Sequence, residues 1–247
     1  MLIIINPGHS QNGNPDPGAV GNGFKEAIEA RTIADLVKVK FDKLNTGIEL
    51  RVLQQNRGTT SNSQLNNLVT DINNTNADLL LSIHLNSSTN SSAKGIETIY
   101  SFVSKKGNIF ARCIQNALTE IPDKLDRDVK SDQRGLAVLK RTKMPACLTE
   151  VGFISNKEEA NWIHNNSNLI AEKLVKGIIN YLINQKVLTE AVLHTSESTF
   201  NDNTKVPKIE LIPAENNKYN CKIDGKLILE NNNLYTCLNW IKENYVS

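Results

Sequence analysis

The 247-residue sequence lacks several features, and each absence excludes a class of function. No apolar run approaches the roughly 20 residues that span a bilayer, so no membrane partner is expected. No basic stretch, apolar core and small-residue cleavage site precede Met1-Leu2-Ile3-Ile4-Ile5-Asn6-Pro7, so no signal peptide is expected. The expectation is a soluble chain made in the cytoplasm, which something else must deliver to any target outside. Clustered basic charge is missing too: 28 Lys and Arg stand against 26 Asp and Glu, which speaks against a nucleic-acid partner. The four cysteines, Cys113, Cys147, Cys221 and Cys237, match no zinc-finger spacing. Without a secretion signal they read as free thiols in a reducing compartment, with Cys147 a buried small hydrophobe. There is no internal repeat.

What is present is alternation. Residues 2–5 form a continuous apolar run, as in a strand buried on both faces. Gly, Asn and Pro mark a long loop over 6–23. Helical spacing follows over 25–44 (Ile28, Ile33, Leu36, Val37, Leu44). Strands are predicted at 49–54, 78–83, 95–102, 136–139 and 146–151, the third-strand run ending at His84. Helices are predicted at 63–73, 108–121, 157–163 and 168–183. This pattern implies an α/β fold, a three-layer sandwich with a twisted, mostly parallel or mixed sheet and helices on both faces. The pattern fades over 185–206, which reads as a linker. Beyond it, 207–247 forms a small C-terminal α+β unit: strands at 208–212, 219–223 and 226–229, a hairpin turn at Asp224-Gly225, and a helix over 234–244. A unit of this size is near the lower limit for folding alone.

Catalytic zinc sites take three ligands from His and carboxylates and leave a fourth position for water. Of the four histidines, His9 and His84 stand directly after predicted buried strands, whereas His164 and His194 do not. In open α/β sheets the carboxyl ends of the strands are where ligands bind. A third ligand is expected from the start of the first long helix. Spacing leaves Glu26 and Glu29 as rivals, and either also suits a helix N-terminus simply by complementing its dipole. A proton acceptor is expected as well. Glu150 stands in the apolar run Ala146-Cys147-Leu148-Thr149-Glu150-Val151-Gly152-Phe153, where a buried carboxylate needs a partner or a purpose. A structural ion pair with Arg134 is the plain alternative.

At these residues a resemblance emerges. Ile4-Ile5-Asn6-Pro7-Gly8-His9-Ser10, Asp16-Pro17-Gly18-Ala19-Val20-Gly21 and Lys25-Glu26-Ala27 come first. Ala77-Asp78-Leu79-Leu80-Leu81-Ser82-Ile83-His84-Leu85-Asn86-Ser87 and Gly95-Ile96-Glu97-Thr98-Ile99-Tyr100 follow. Arg134-Gly135-Leu136-Ala137-Val138-Leu139-Lys140 and the segment from Met144 to Asn156 close the series. In this order, over about residues 1–184, they resemble the N-acetylmuramoyl-L-alanine amidase 3 family. The resemblance implies one zinc ion per chain, bound by His9, Glu26 and His84, with Glu150 the catalytic glutamate. It implies bacterial peptidoglycan as partner and hydrolysis of the bond between N-acetylmuramic acid and L-alanine. Asn86 and Glu97 are candidate supporting residues at the rim, and Arg134 either orients Glu150 or touches substrate. His164 and His194 fall outside the motifs and read as surface residues. The family usually has Asn and Leu where this chain has Ala30 and Arg31, and its second arginine between Arg57 and the His84 segment is not evident. The competing readings are a stem-peptide peptidase on the same fold and a non-catalytic wall-binding protein. The missing signal and the small C-terminal unit, a candidate wall-binding or self-association module, look endolysin-like. Release by lysis, or a dedicated export or injection route, would then bring the chain to the wall. The sequence leaves the oligomeric state unknown.

Overall fold

The computed structural model describes residues 1–189 and the strands Ile209–Ala214, Lys218–Ile223 and Lys226–Asn232. The chain divides into two compact units, Met1–Phe200 and Asn201–Ser247.

The first unit is built on a six-stranded sheet. Its strands are β1 (Leu2–Pro7), β4 (Glu49–Val52), β5 (Leu79–Asn86), β6 (Ile96–Tyr100), β7 (Asp126–Ser131) and β8 (Ala146–Phe153), in the order β4-β1-β5-β8-β6-β7. All neighbours are parallel except β6 and β8. The helices are α1 (Glu26–Asp42), α2 (Ser61–Asn74), α3 (Lys105–Thr119), α4 (Ala137–Lys140), α5 (Lys157–Asn165) and α6 (Ser167–Asn184).

Side-chain alternation along the strands sorts the core into two layers. Ile3, Ile5, Leu79, Leu81, Ile83, Cys147 and Val151 pack against α1, α3, α5 and α6. Ile4, Leu80, Ala146, Leu148 and Ile99 face the other way, against Leu68 and Ile72 of α2 and Val138 and Leu139 of α4. The three-layer sandwich is therefore as expected. Full burial of a side chain such as Ile4 contributes about 1.5–3 kcal/mol, which makes the central strands a rigid base for whatever their ends carry. No helix among the described residues is long and apolar enough to cross a membrane.

Three local expectations need correction. The run at 136–139 is not a strand but one helical turn, α4; four apolar residues cannot reveal their period. Strand β7 went unrecognised because Asp-Arg-Asp-Val-Lys-Ser has one apolar residue and an exposed edge, and charge is how sheet edges resist further pairing. Finally, β5 does not end at His84; it runs on to Asn86, so His84 lies within the strand.

The loop over 6–23 also holds a small hairpin, β2 (Val20–Gly21) and β3 (Phe24–Lys25). Its two turn residues, Asn22 (φ 53°) and Gly23 (φ 89°), are both left-handed, as the Asn-Gly turn of a tight hairpin requires. In the second unit β9 (Ile209–Ala214), β10 (Lys218–Ile223) and β11 (Lys226–Asn232) form an antiparallel sheet in the order β11-β10-β9. The expected turn at Asp224-Gly225 and the helix expected over 234–244 lie outside the described residues, as does His194.

Candidate metal centre and active site

His9, Glu26 and His84 come together by the carboxyl ends of β1 and β5, their donor atoms all within 4.8 Å of one another. Each arrives by a different route. His9 follows β1 by two residues and adopts a left-handed backbone, φ 64°, a conformation uncommon for a non-glycine residue. Glu26 opens α1, whose first N–H groups are satisfied by the preceding loop: Glu26 N donates to Ala19 O (3.0 Å) and Ala27 N to Pro17 O (3.1 Å). His84 comes from β5.

The loop must pass close to these side chains, and this explains two glycines. A Cβ on Gly8 would run into the His84 ring, and one on Gly18 (φ +68°) would sit 2.7 Å from Glu26 Oε2 and against the His9 ring.

Glu26 is the pivot. Its Oε1 lies 3.1 Å from His9 Nε2 and 2.8 Å from His84 Nδ1. The carboxylate is oriented by backbone: Leu85 N donates to Oε1 (3.1 Å) and Ala19 N to Oε2 (2.8 Å). Burial alone would raise the pKa of Glu26, but hydrogen bonding to His84 and then His9 holds it far below the usual carboxylate range. For His9, burial lowers the pKa, yet Glu26 and then Asp16 overcome this and push it up to about 9. Glu26 Oε1 lies 2.8–3.1 Å from a nitrogen of each imidazole, and all three donor atoms are within 4.8 Å of one another, near the roughly 3.3 Å donor spacing of a tetrahedral zinc site with bonds of about 2.0–2.1 Å. The donor set therefore fits zinc.

Glu150 lies beside this cluster. The sheet register pairs it with His84 across β5–β8 and with Glu97 across β6–β8. Sheet neighbours share a face, so His84, Glu150 and Glu97 form a row on the side covered by α2 and α4. Glu150 Oε2 is buried without a hydrogen-bond partner, and Oε1 is 3.9 Å from Arg134 Nη2. That distance is too long for a hydrogen bond, so a tight structural ion pair is not what keeps the carboxylate there. Burial, the largest influence, and the Glu26 and Glu97 charges outweigh His84 and Arg134 and raise the Glu150 pKa to about 7, a value suited to accepting and returning a proton near neutrality.

The supporting residues take defined places. Asn86 donates to Glu97 Oε1 (3.2 Å), and its own Oδ1 accepts from Ser87 N (2.8 Å). Glu97 Oε2 receives Arg127 Nε (2.8 Å) and Lys130 Nζ (2.6 Å). Against the opposing effect of burial, these two cations lower its pKa. Glu159 of α5 ties the strand ends by accepting from Gly95 N (3.0 Å) and Phe153 N (2.9 Å).

Glu29, the rival of Glu26, points elsewhere. It is buried and meets His164 Nδ1 at 3.1 Å, while the His164 ring stacks on Phe24 at 4.7 Å. His164 is thus half-exposed but engaged, bracing α5 against α1 and the hairpin. Glu26→Ala should abolish zinc uptake, whereas Glu29→Ala should retain zinc and lower the melting temperature; zinc content and thermal unfolding of both variants check this.

Asp16 was missed as a site residue. Its Oδ1 lies 3.0 Å from His9 Nδ1, without the alignment of a hydrogen bond, and accepts from Gly18 N (3.2 Å), which places a carboxylate beside the imidazole nitrogen that faces away from Glu26. The sequence signal was an acid inside a Gly-Pro-rich loop seven residues after His9.

A family model described as N-acetylmuramoyl-L-alanine amidase matches residues 3–180. The chain belongs to the N-acetylmuramoyl-L-alanine amidase family. It is 36% identical over 161 residues to the amidase LytC of Bacillus subtilis, covering 64% of this chain and 30% of that one. It is 33% identical over 183 residues to the sporulation-specific amidase of the same organism, covering 74% and 67%. Among solved structures, the amidase AmiC2 of Nostoc punctiforme aligns with a TM-score of 0.64 at 25% identity, over 74% of this chain and 97% of that one. The chain thus spans less than a third of LytC's length. Members of this amidase family hydrolyse the bond between N-acetylmuramic acid and L-alanine and are generally zinc-dependent.

Proposed function

We propose that this amidase cleaves the bond between N-acetylmuramic acid and L-alanine in peptidoglycan, with zinc held by His9, Glu26 and His84 and with Glu150 as the proton carrier. The observation that carries the proposal is the buried, unpaired Glu150 Oε2 beside three converging donor groups. A non-catalytic wall-binding protein would have no use for such a carboxylate, which is expensive to bury alone.

When bound, zinc would acidify a water molecule and polarise the scissile carbonyl. Glu150 takes the proton from the attacking water and returns it to the leaving amine of L-alanine. The Asp16 carboxylate, 3.0 Å from His9 Nδ1, favours the ring orientation in which Nε2 faces the centre. The Leu85 and Ala19 N–H groups hold the Glu26 carboxylate still. The small C-terminal unit is proposed to bind wall or a second copy of itself.

The test is hydrolysis of purified wall by metal-stripped protein. Activity should be absent after chelation and return at about one zinc per chain; undiminished activity in fully stripped protein would refute the metal assignment. Zinc binding should also weaken as pH falls. His9, raised to about 9, is largely protonated at neutral pH without metal, and zinc must displace that proton. One proton over two pH units predicts about 100-fold weaker apparent affinity at pH 6 than at pH 8, measured by competition with a chelator of known pH dependence.

A further inference from the structure

We propose that Arg134 is a specificity residue that reads a carboxylate on the peptide side of the substrate, one residue beyond the cleaved amide. This rests on the amidase reaction proposed above. In a peptidoglycan stem the residue after L-alanine is a glutamate joined through its side chain, and its α-carboxyl is either free or amidated.

The sheet order determines which side of the site meets the peptide. The metal cluster sits over β1 and β5, Glu150 over β8, and β6 and β7 lie beyond it. Glu150 protonates the leaving amine, so the peptide departs on the β6–β7 side and the sugar lies on the other. That side is rimmed by cations. Arg127 and Lys130 both bind Glu97, which Asn86 also contacts, so Glu97 presents no bare negative charge to an arriving carboxylate.

Arg134 differs from those two. Its guanidinium makes no hydrogen bond among the described residues, is 60% exposed, and stands 3.9 Å from Glu150 Oε1. Its backbone, by contrast, is fixed. Asp132 Oδ1 accepts from Arg134 N (2.9 Å) and Gly135 N (3.1 Å), and Oδ2 from Leu136 N (2.7 Å). Gly135, at φ +72°, turns the chain into α4 in a conformation natural to glycine. A rigid loop thus presents a free guanidinium at the peptide edge of the site. Its fork geometry suits two parallel hydrogen bonds to a carboxylate and is poorly matched by an amide. Asp132, the acid on the same loop, is turned inward to the backbone.

The experiment compares two soluble muropeptides of equal length that differ only in whether that α-carboxyl is free or amidated. The zinc-loaded full chain should favour the free acid in kcat/KM by about tenfold or more, the scale of a hydrogen-bonded charge pair. Arg134→Gln should bring the ratio of the two substrates to near one, and Arg134→Lys should restore part of it; thermal unfolding establishes that both variants are folded. Arg134→Gln lowering both substrates in equal proportion would overturn the assignment, because Arg134 would then act through Glu150. Absence of any wild-type preference, or preference for the amide, would overturn it as well, with the amidase reading intact. Cleavage of both substrates at a different bond would overturn both.

Discussion

Replacing Glu150 with Gln is expected to leave zinc bound and to lower turnover by about 10²–10⁴-fold, the range for losing a general acid–base group. The substitution preserves shape and removes only the ability to take a proton. Zinc should stay because the three donor groups are His9, Glu26 and His84, and Glu150 is their neighbour across the sheet. The pH profile sharpens the test. Glu150 accepts a proton only when ionised, and burial raises its pKa to about 7. Wild-type kcat/KM should therefore show an acidic limb whose midpoint the zinc charge draws below about 7, and the residual activity of the variant should lose that limb. Stability should move the opposite way. A glutamate whose folded pKa is raised penalises the fold increasingly as pH climbs from the unfolded value through the folded one, by up to about 3 kcal/mol for a shift of this size. Metal-free Glu150→Gln should thus melt no lower than wild type above pH 7. Loss of zinc in the variant would make Glu150 a ligand; near-wild-type turnover would place the base elsewhere.

His84→Ala should have an effect at least as large, by a different route. It removes the imidazole that lies 2.8 Å from Glu26 Oε1, leaving two of the three donor side chains. Stoichiometric zinc should be lost and wall hydrolysis should drop by at least about 10³-fold, since both water activation and carbonyl polarisation disappear. The buried Glu26 also loses a partner. It keeps His9, Leu85 N and Ala19 N, so the metal-free variant should melt below metal-free wild type by the about 1–3 kcal/mol of one hydrogen bond lost at a buried charged group. Metal analysis and thermal unfolding measure both effects. Full zinc occupancy in His84→Ala would remove His84 from the ligand set.

The sequence made the candidate site residues more legible than the geometry that brings them together. His9 and Glu150 could be located because apolar strands announce themselves by composition, and a polar residue at their ends or inside them stands out. Glu26 was harder: helical spacing admitted Glu29 equally. What separates them is the fold of the preceding loop, which hands Ala19 N to Glu26 Oε2, while Glu29 turns to His164 on α5, 135 residues away. Long-range pairing of that kind has no local signature. Asp16 escaped for the same reason, since its contact with His9 depends on how a loop closes. The Asn22-Gly23 turn, by contrast, had a readable signal in its dipeptide. Strand β7 lacked the apolar alternation that marks strands, because it is an edge; yet it supplies Arg127 and Lys130, which neutralise Glu97 beside Glu150.

The most direct test of the amidase assignment is mass analysis of the products from purified peptidoglycan digested by the zinc-loaded chain. Intact sugar strands and stem peptides with a free L-alanine amino terminus are the predicted result. Products cut within the stem peptide, or within the sugar strand, would contradict it.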